Sequence, residues 1–301
     1  MTNQRLTILI NSEGGAASAA GDKLPGQVEA AFEKAGGTAD VKLLEAREMD
    51  EAIARAAERA TRLVVAGGDG TIAAAAQALA GEKTELAILP LGTLNHFARD
   101  LGIPTDLADA AKLAIHGKAE AIDVGEVNGT RFINNVSVGL YPFMVRDRDD
   151  IRERRGWPKW LATVPASWDA LSRLRHHRLH IDLGQGRQPV VTPLLFVGNN
   201  RYSLEPGSVG SRESLSEGKL AVYAVERTSR AALIWFGMRA LLGLADRGRD
   251  FAALGDSDSF AVSSPEHHIE IALDGEVTDM ELPLKFRVMP KALNVIVPPS
   301  R

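Results

Sequence analysis

The chain has 301 residues, 45% hydrophobic and 25% charged, with a formal net charge of -4. That length allows two domains with sizeable cores, and a slightly acidic chain has no global basic field, so no nucleic-acid partner is expected. The absence of cysteine excludes disulfides, thiolate metal sites and a cysteine nucleophile, and fits a reducing compartment, the cytoplasm.

In chain order, Met1-Thr2-Asn3-Gln4-Arg5 runs straight into a strand-like stretch at 6–10. No signal peptide is read there, and no apolar stretch approaches the length of a membrane span. The first strand ends at Asn11-Ser12-Glu13-Gly14-Gly15. A helix is predicted from about Pro25 to Lys34, stopped by Gly36-Gly37. Residues 41–44 read as a second strand and 49–60 as a helix. Arg62-Leu63-Val64-Val65-Ala66 reads as a buried strand that ends abruptly in Gly67-Gly68-Asp69-Gly70-Thr71. An alanine-rich helix is predicted over 72–80.

The glycines at that junction permit a tight turn and close backbone approach to a ligand. A helix start offers unpaired N–H groups and partial positive charge, which suit phosphate. Asp69 beside phosphates is repulsive unless a cation lies between them or it handles a proton. The loop therefore points to a nucleotide polyphosphate with Mg²⁺. Taken alone it is also open to the plain reading of a tight turn. It is neither a Walker A loop nor a Gly-x-Gly-x-x-Gly fingerprint.

A strand at 85–89 and a helix at 106–116 follow. Strands alternating with helices imply a doubly wound α/β domain, with ligands at the carboxyl ends of its strands. Asn11, Asp69 and the loop after Leu89 should gather on that edge. In this loop, Pro90-Leu91-Gly92-Thr93-Leu94-Asn95-His96-Phe97-Ala98-Arg99, Gly92 and Thr93 can bring backbone and hydroxyl to a phosphate. Asn95 can orient a carboxylate or water, and Arg99 can pair with phosphate. Each also has a structural reading: Asn95 as a helix cap and Arg99 as a solvated surface charge.

After a turn at Val127-Asn128-Gly129-Thr130 the pattern shifts to strands, at 132–133, 180–183, 192–197, 220–225, 260–262, 268–273, 282–288 and 293–297. A β-sandwich is expected. Two helical inserts interrupt it, at 141–175 and 229–245. The first carries interleaved arginines and acids, then Trp157-Pro158-Lys159-Trp160, which suits either domain packing or a membrane interface. The second is apolar over most of its circumference and reads as a buried helix or the wall of an acyl channel. The pairs His176-His177 and His267-His268 lack a third ligand at metal spacing and read as structural. Asp274-Gly275-Glu276 reads either as a hairpin turn or as carboxylates able to take a proton from an alcohol.

The two long motifs, Gly67–Thr71 and Leu89–Ala98, resemble the diacylglycerol kinase catalytic-domain family. Ile122-Asp123-Val124-Gly125, Phe132-Ile133-Asn134-Asn135-Val136-Ser137-Val138-Gly139 and Leu273-Asp274-Gly275-Glu276 are similar to further family elements in order. The resemblance implies an ATP-dependent lipid kinase, phosphorylating a primary hydroxyl, with diacylglycerol the leading substrate. It implies an α/β domain at 1–127 and a β-sandwich lipid domain at 128–301, with the reaction in a cleft between them. Asn11, Gly67, Gly68, Asp69, Gly70, Thr71, Gly92, Thr93 and Asn95 would hold ATP. Asp69, Asp123 and Glu217 would serve metal sites, and Glu276, with Asp274 and Asp69, would serve catalysis. The implied partners are ATP and a membrane lipid; peripheral contact at the inner face and a homodimer are left open.

The pattern departs from the family at Ser12, for proline, and at His96, where many relatives carry aspartate. It departs again at Ser216-Glu217-Gly218, for Asp-Asp-Gly, and no threonine lies near Leu43-Leu44-Glu45. Two alternatives stay open. NAD kinase shares Gly-Gly-Asp-Gly-Thr, and a decayed lipid-binding relative would retain lipid without turning over ATP.

Overall fold

The computed structural model describes residues 5–13, 15, 17, 21–139, 177–184, 186–202, 212, 214–225 and 251–299. Both expected helical inserts, with Trp157, Trp160 and His176, lie outside them. The chain divides into two compact units, Met1–Val124 with Met289–Arg301, and Gly125–Val288. The boundary expected at 127/128 thus compares with a division at 124/125, and the last segment groups with the first unit.

The first unit is built on β1 (Arg5–Asn11), β2 (Thr38–Leu44), β3 (Arg62–Gly67) and β4 (Glu85–Pro90), parallel in the order β2-β1-β3-β4. Burial on both faces explains why β3 is a continuous apolar run: Leu63, Val64, Val65 and Ala66 are all fully buried. Helices α1 (Leu24–Lys34) and α5 (Leu107–His116) cover one face, packing Val28, Phe32, Ala110 and Ala114 onto Ile8 and Val64. Helices α2 (Ala46–Ala57) and α3 (Asp69–Leu79) pack against each other and against β1 and β3. A short α4 (His96–Asp100) follows β4.

Local chemistry sets the helix ends. Proline lies in the first turn of α1, a Glu45–Glu48 capping box opens α2, and the Asp106 carboxylate accepts Ala108 and Asp109 N–H at 3.0 Å to open α5. Helix α3 begins at Asp69, three residues before the predicted 72, because the Asp-Gly-Thr run serves as its first turn.

Strand β5 (Lys118–Val127) runs past the division at 124/125. The second unit contains β6 (Thr130–Phe132), β7 (Asn135–Gly139), β8 (His177–Asp182), β9 (Arg187–Thr192), β10 (Leu194–Asn199), β11 (Leu220–Val225), β12 (Phe251–Ser257), β13 (Ser259–Ser263), β14 (His268–Leu273) and β15 (Glu276–Glu281). Strand β16 (Leu284–Val297) also crosses the division. One antiparallel sheet has the order β12-β11-β10-β7-β14-β15. The other pairs β16, β13, β8 and β9 in turn, with β5 pairing both β16 and β6. Val136, Val138, Leu195, Val197 and Ile271 from the first sheet meet Leu179, Ile181, Val262, Leu284 and Phe286 from the second in one core. This is the expected sandwich.

Several elements differ from the sequence expectation. The run 192–197 is two strands, since Thr192 and Pro193 turn the chain between β9 and β10. The segments 282–288 and 293–297 join in the single long β16. Strand β15 gave no pattern because its residues are exposed or half-buried throughout.

Candidate active site

In the first unit the strand order reverses direction of growth at β1 and β3, the switch point where open α/β sheets bind ligands. Asn11 ends β1 there, and its Nδ2 donates to Thr71 Oγ1 at 2.9 Å. Its Oδ1 accepts Glu13 N–H at 3.0 Å. Gly67 ends β3 and Gly68 is the N-cap of α3, with no side chain capping the helix. The first-turn N–H groups at Asp69, Gly70 and Thr71 are therefore suited to an anion.

Two glycines are required by close approach. A Cβ on Gly67 would lie 2.6 Å from Thr71 Cβ, and one on Gly92 would lie 2.6 Å from Gly68 Cα. The two motif loops thus touch backbone to backbone. Leu91 N–H donates to Gly67 O at 2.9 Å along the same seam.

Asp69 completes the lock. Its Oδ2 accepts Asn95 N–H at 3.0 Å and its Oδ1 accepts His96 N–H at 2.7 Å, at the start of α4. Asn95 sits at φ 50, where asparagine is tolerated. Its Oδ1 accepts Gly92 N–H at 2.9 Å and its Nδ2 donates to Gly92 O at 2.8 Å. Asn95 is the N-cap residue of α4, but its side chain makes no cap bond and closes the loop onto Gly92, a role that neither sequence reading named. Thr93 and His96 are exposed beside this lock, as is Arg99.

Asp123 is 1% exposed, and its Oδ1 accepts Lys291 N–H at 2.9 Å, tying β5 to β16. Glu217 is exposed, and its N–H donates to Asn200 Oδ1 at 3.1 Å. Among the described residues no three His, Cys, Asp or Glu side chains form a group able to hold an ion.

In the second unit, Asp274 and Gly275 occupy the two-residue turn between β14 and β15, at φ 49 and 94, with Leu273 opposite Glu276. That is the hairpin turn read from the sequence, now with its carboxylate in use. Asp274 Oδ2 accepts Ile133 N–H at 2.8 Å, and Oδ1 accepts Asn134 N–H at 2.8 Å and Asn135 N–H at 3.0 Å. Burial pushes the Asp274 carboxyl up to about 6, while those three backbone donors and the Arg212 guanidinium pull it down. Glu276, two residues on, is exposed at the start of β15. The turn at 133–135 is also held from behind. Arg212, 5% exposed, donates to Ile133 O and to Asn134 Oδ1, and Tyr202 OH donates to Asn134 O. Sequence reasoning missed Arg212, Asn199 and Tyr202. They fall in a polar stretch without periodicity, and nothing local marks an arginine as buried.

Comparison with known proteins follows the same lines. A family model described as the diacylglycerol kinase catalytic domain matches residues 5–127. A protein of Pseudomonas syringae pv. tomato named "Probable lipid kinase YegS-like" is 32% identical over 257 residues, covering 77% of this chain and 83% of that protein. The diacylglycerol kinase of Bacillus subtilis is 29% identical over 247 residues, covering 79% of this chain and 78% of that one. A crystal structure of a diacylglycerol kinase from Bacillus anthracis str. Sterne matches with a TM-score of 0.71 at 20% identity, covering 99% of this chain and 98% of that chain. At that identity the likeness speaks for the fold.

Proposed function

Because the chain belongs to the diacylglycerol kinase catalytic-domain family, we propose that it is an ATP-dependent lipid kinase. It transfers the γ-phosphoryl group to the primary hydroxyl of diacylglycerol, giving phosphatidic acid. The observation that carries the reading is the interlocked pair of loops at the switch point. Gly67–Thr71 and Gly92–Asn95 are pinned together by the Asp69 carboxylate over an uncapped helix start.

In this reading the N–H groups opening α3 bind phosphate, with Thr71 oriented by Asn11 and Thr93 exposed beside them. Asp69 holds the second loop and would also hold Mg²⁺, which would neutralise charge on the phosphates. Glu276 accepts the proton of the lipid hydroxyl, and Asp274 fixes the turn that carries it. Asp123 ties β5 to β16. A base of this kind contributes about 10²–10⁴-fold to rate.

The test is incubation with γ-labelled ATP, Mg²⁺ and a total lipid extract, with NAD in a parallel arm. Labelled phosphatidic acid is the expected product. Label in NADP, or in no product, would sink the reading.

A further inference from the structure

We infer that Arg212 is a positioning residue for the proton-accepting side of this reaction. Its guanidinium grips the carbonyl side of the 133–135 turn, whose N–H side grips Asp274, and so fixes the hairpin end that presents Glu276. The inference rests on the proposed role of Glu276.

The wiring runs through single peptide groups. Arg212 Nη1 donates to Ile133 O at 2.6 Å, and the N–H of that same peptide, on Asn134, donates to Asp274 Oδ1 at 2.8 Å. A guanidinium thus sits on one end of the peptide dipole and a carboxylate on the other. The next peptide repeats the pattern. Asn134 O accepts Tyr202 OH at 3.1 Å and Asn199 N–H at 2.9 Å, while Asn135 N–H donates to Asp274 Oδ1 at 3.0 Å. Hydrogen bonds in such chains polarise one another, and they are stronger away from water.

The fork geometry matters as much as the charge. Arg212 Nη1 also reaches Asn199 O at 3.2 Å, Nη2 reaches Asn134 Oδ1 at 2.9 Å, and the guanidinium carbon lies 5.4 Å from the centre of the Tyr202 ring. A lysine supplies a point charge and cannot span those acceptors in one plane. Among the described residues, Arg212 is the one charged group identified as acting on Asp274; the other opposing influences are backbone donors. Removing the guanidinium takes one donor from each of the carbonyls of 133 and 199, leaves Ile133 O held by Asn199 Nδ2 at 3.1 Å, and loosens the turn.

Wild type, Arg212→Met, Arg212→Lys and Tyr202→Phe are compared by two measurements. The Asp274 carboxyl titration is followed by ¹³C NMR of aspartate-labelled protein, its signal identified by its loss in Asp274→Asn. The pH profile of kcat for lipid phosphorylation is recorded alongside. Arg212→Met moves the Asp274 titration upward by about one unit and lowers kcat by about 10²-fold, as misplaced reacting groups do, while KM for ATP stays put. Arg212→Lys shows a smaller rise and the same kind of kcat loss. It carries the test alone if Arg212→Met does not fold. Tyr202→Phe keeps the charge and leaves the titration in place. An unmoved titration in the arginine variants overturns the inference. So does a moved titration with unchanged kcat, given an inactive Glu276→Gln variant. Turnover surviving in Glu276→Gln strikes the proposed function instead, and is recognisable as that.

Discussion

At position 92 a Cβ would lie 2.6 Å from the Cα of Gly68, and backbone cannot rotate out of the way as a side chain can. Gly92→Ala should therefore part the two loops and lower kcat/KM for ATP by about 10²-fold, measured at constant lipid concentration. Unchanged kinetics would show that the contact is not needed. Asp274 supplies a second residue-level prediction. Its folded carboxyl is raised above the ordinary value of 3.8 to about 6, so the folded state holds a proton that the unfolded chain has already lost. The stabilisation is fully present below about pH 4 and fades as the pH rises through 6. Urea midpoints measured from pH 4 to 7 should show this decline, and Asp274→Asn should flatten it. Glu276→Gln should abolish transfer and leave binding of a non-hydrolysable ATP analogue intact, which isothermal titration would report.

Helix ends and hairpins carry the next level of argument. Arg62, 10% exposed at its side chain, closes the carboxyl end of α5. Its guanidinium donates to Ala114 O at 2.7 Å, Ile115 O at 3.0 Å and Gly117 O at 3.2 Å, and pairs with Glu85 at 2.8 Å. Replacing it by methionine leaves those carbonyls and a half-buried carboxylate unpaired, at a cost of about 3 kcal/mol; chemical denaturation would measure it. The sequence announced this element only as the first residue of a strand. By contrast, Asp106, Pro25 and the Asn128-Gly129 and Asp274-Gly275 turns were legible, because the helix start or backbone turn each sets involves neighbours within a few residues; the bonds from Asn128 to 281 and 285 and from Asp274 to 133–135 were not. What was illegible is what acts at long range. Asp69 reads as a charge beside phosphate, yet its oxygens meet N–H groups 26 and 27 residues away. Arg212 meets the carbonyl of Ile133, 79 residues away, and the side-chain oxygen of Asn134, 78 away.

For the molecule as a whole, the same limit appears in the last strand. Val295 pairs with Leu86, Gly81 N–H donates to Ala292 O at 2.6 Å, and Ile296 packs in the core of the first unit beside Gly117. The periodicity of 293–297 revealed a strand but not its partner, so the sequence placed it with the second domain. Deleting 289–301 exposes a strand edge and removes the buried Leu293, Val295, Ile296 and Val297. At about 1.5–3 kcal/mol for each buried side chain, the loss rivals a domain's whole stability of about 5–15 kcal/mol. Hydrogen exchange should show β3 and α3 unprotected in the deletion and protected in the full chain. No described helix is long and apolar enough to cross a membrane.

That last strand also sets an order of events during synthesis. The ribosome makes every residue of the second unit before it makes the segment that closes the first. The first unit of a nascent chain is thus kept open, its sheet edge bare, until the second has already emerged. A stalled or clipped product would present that bare edge to whatever strand it met first.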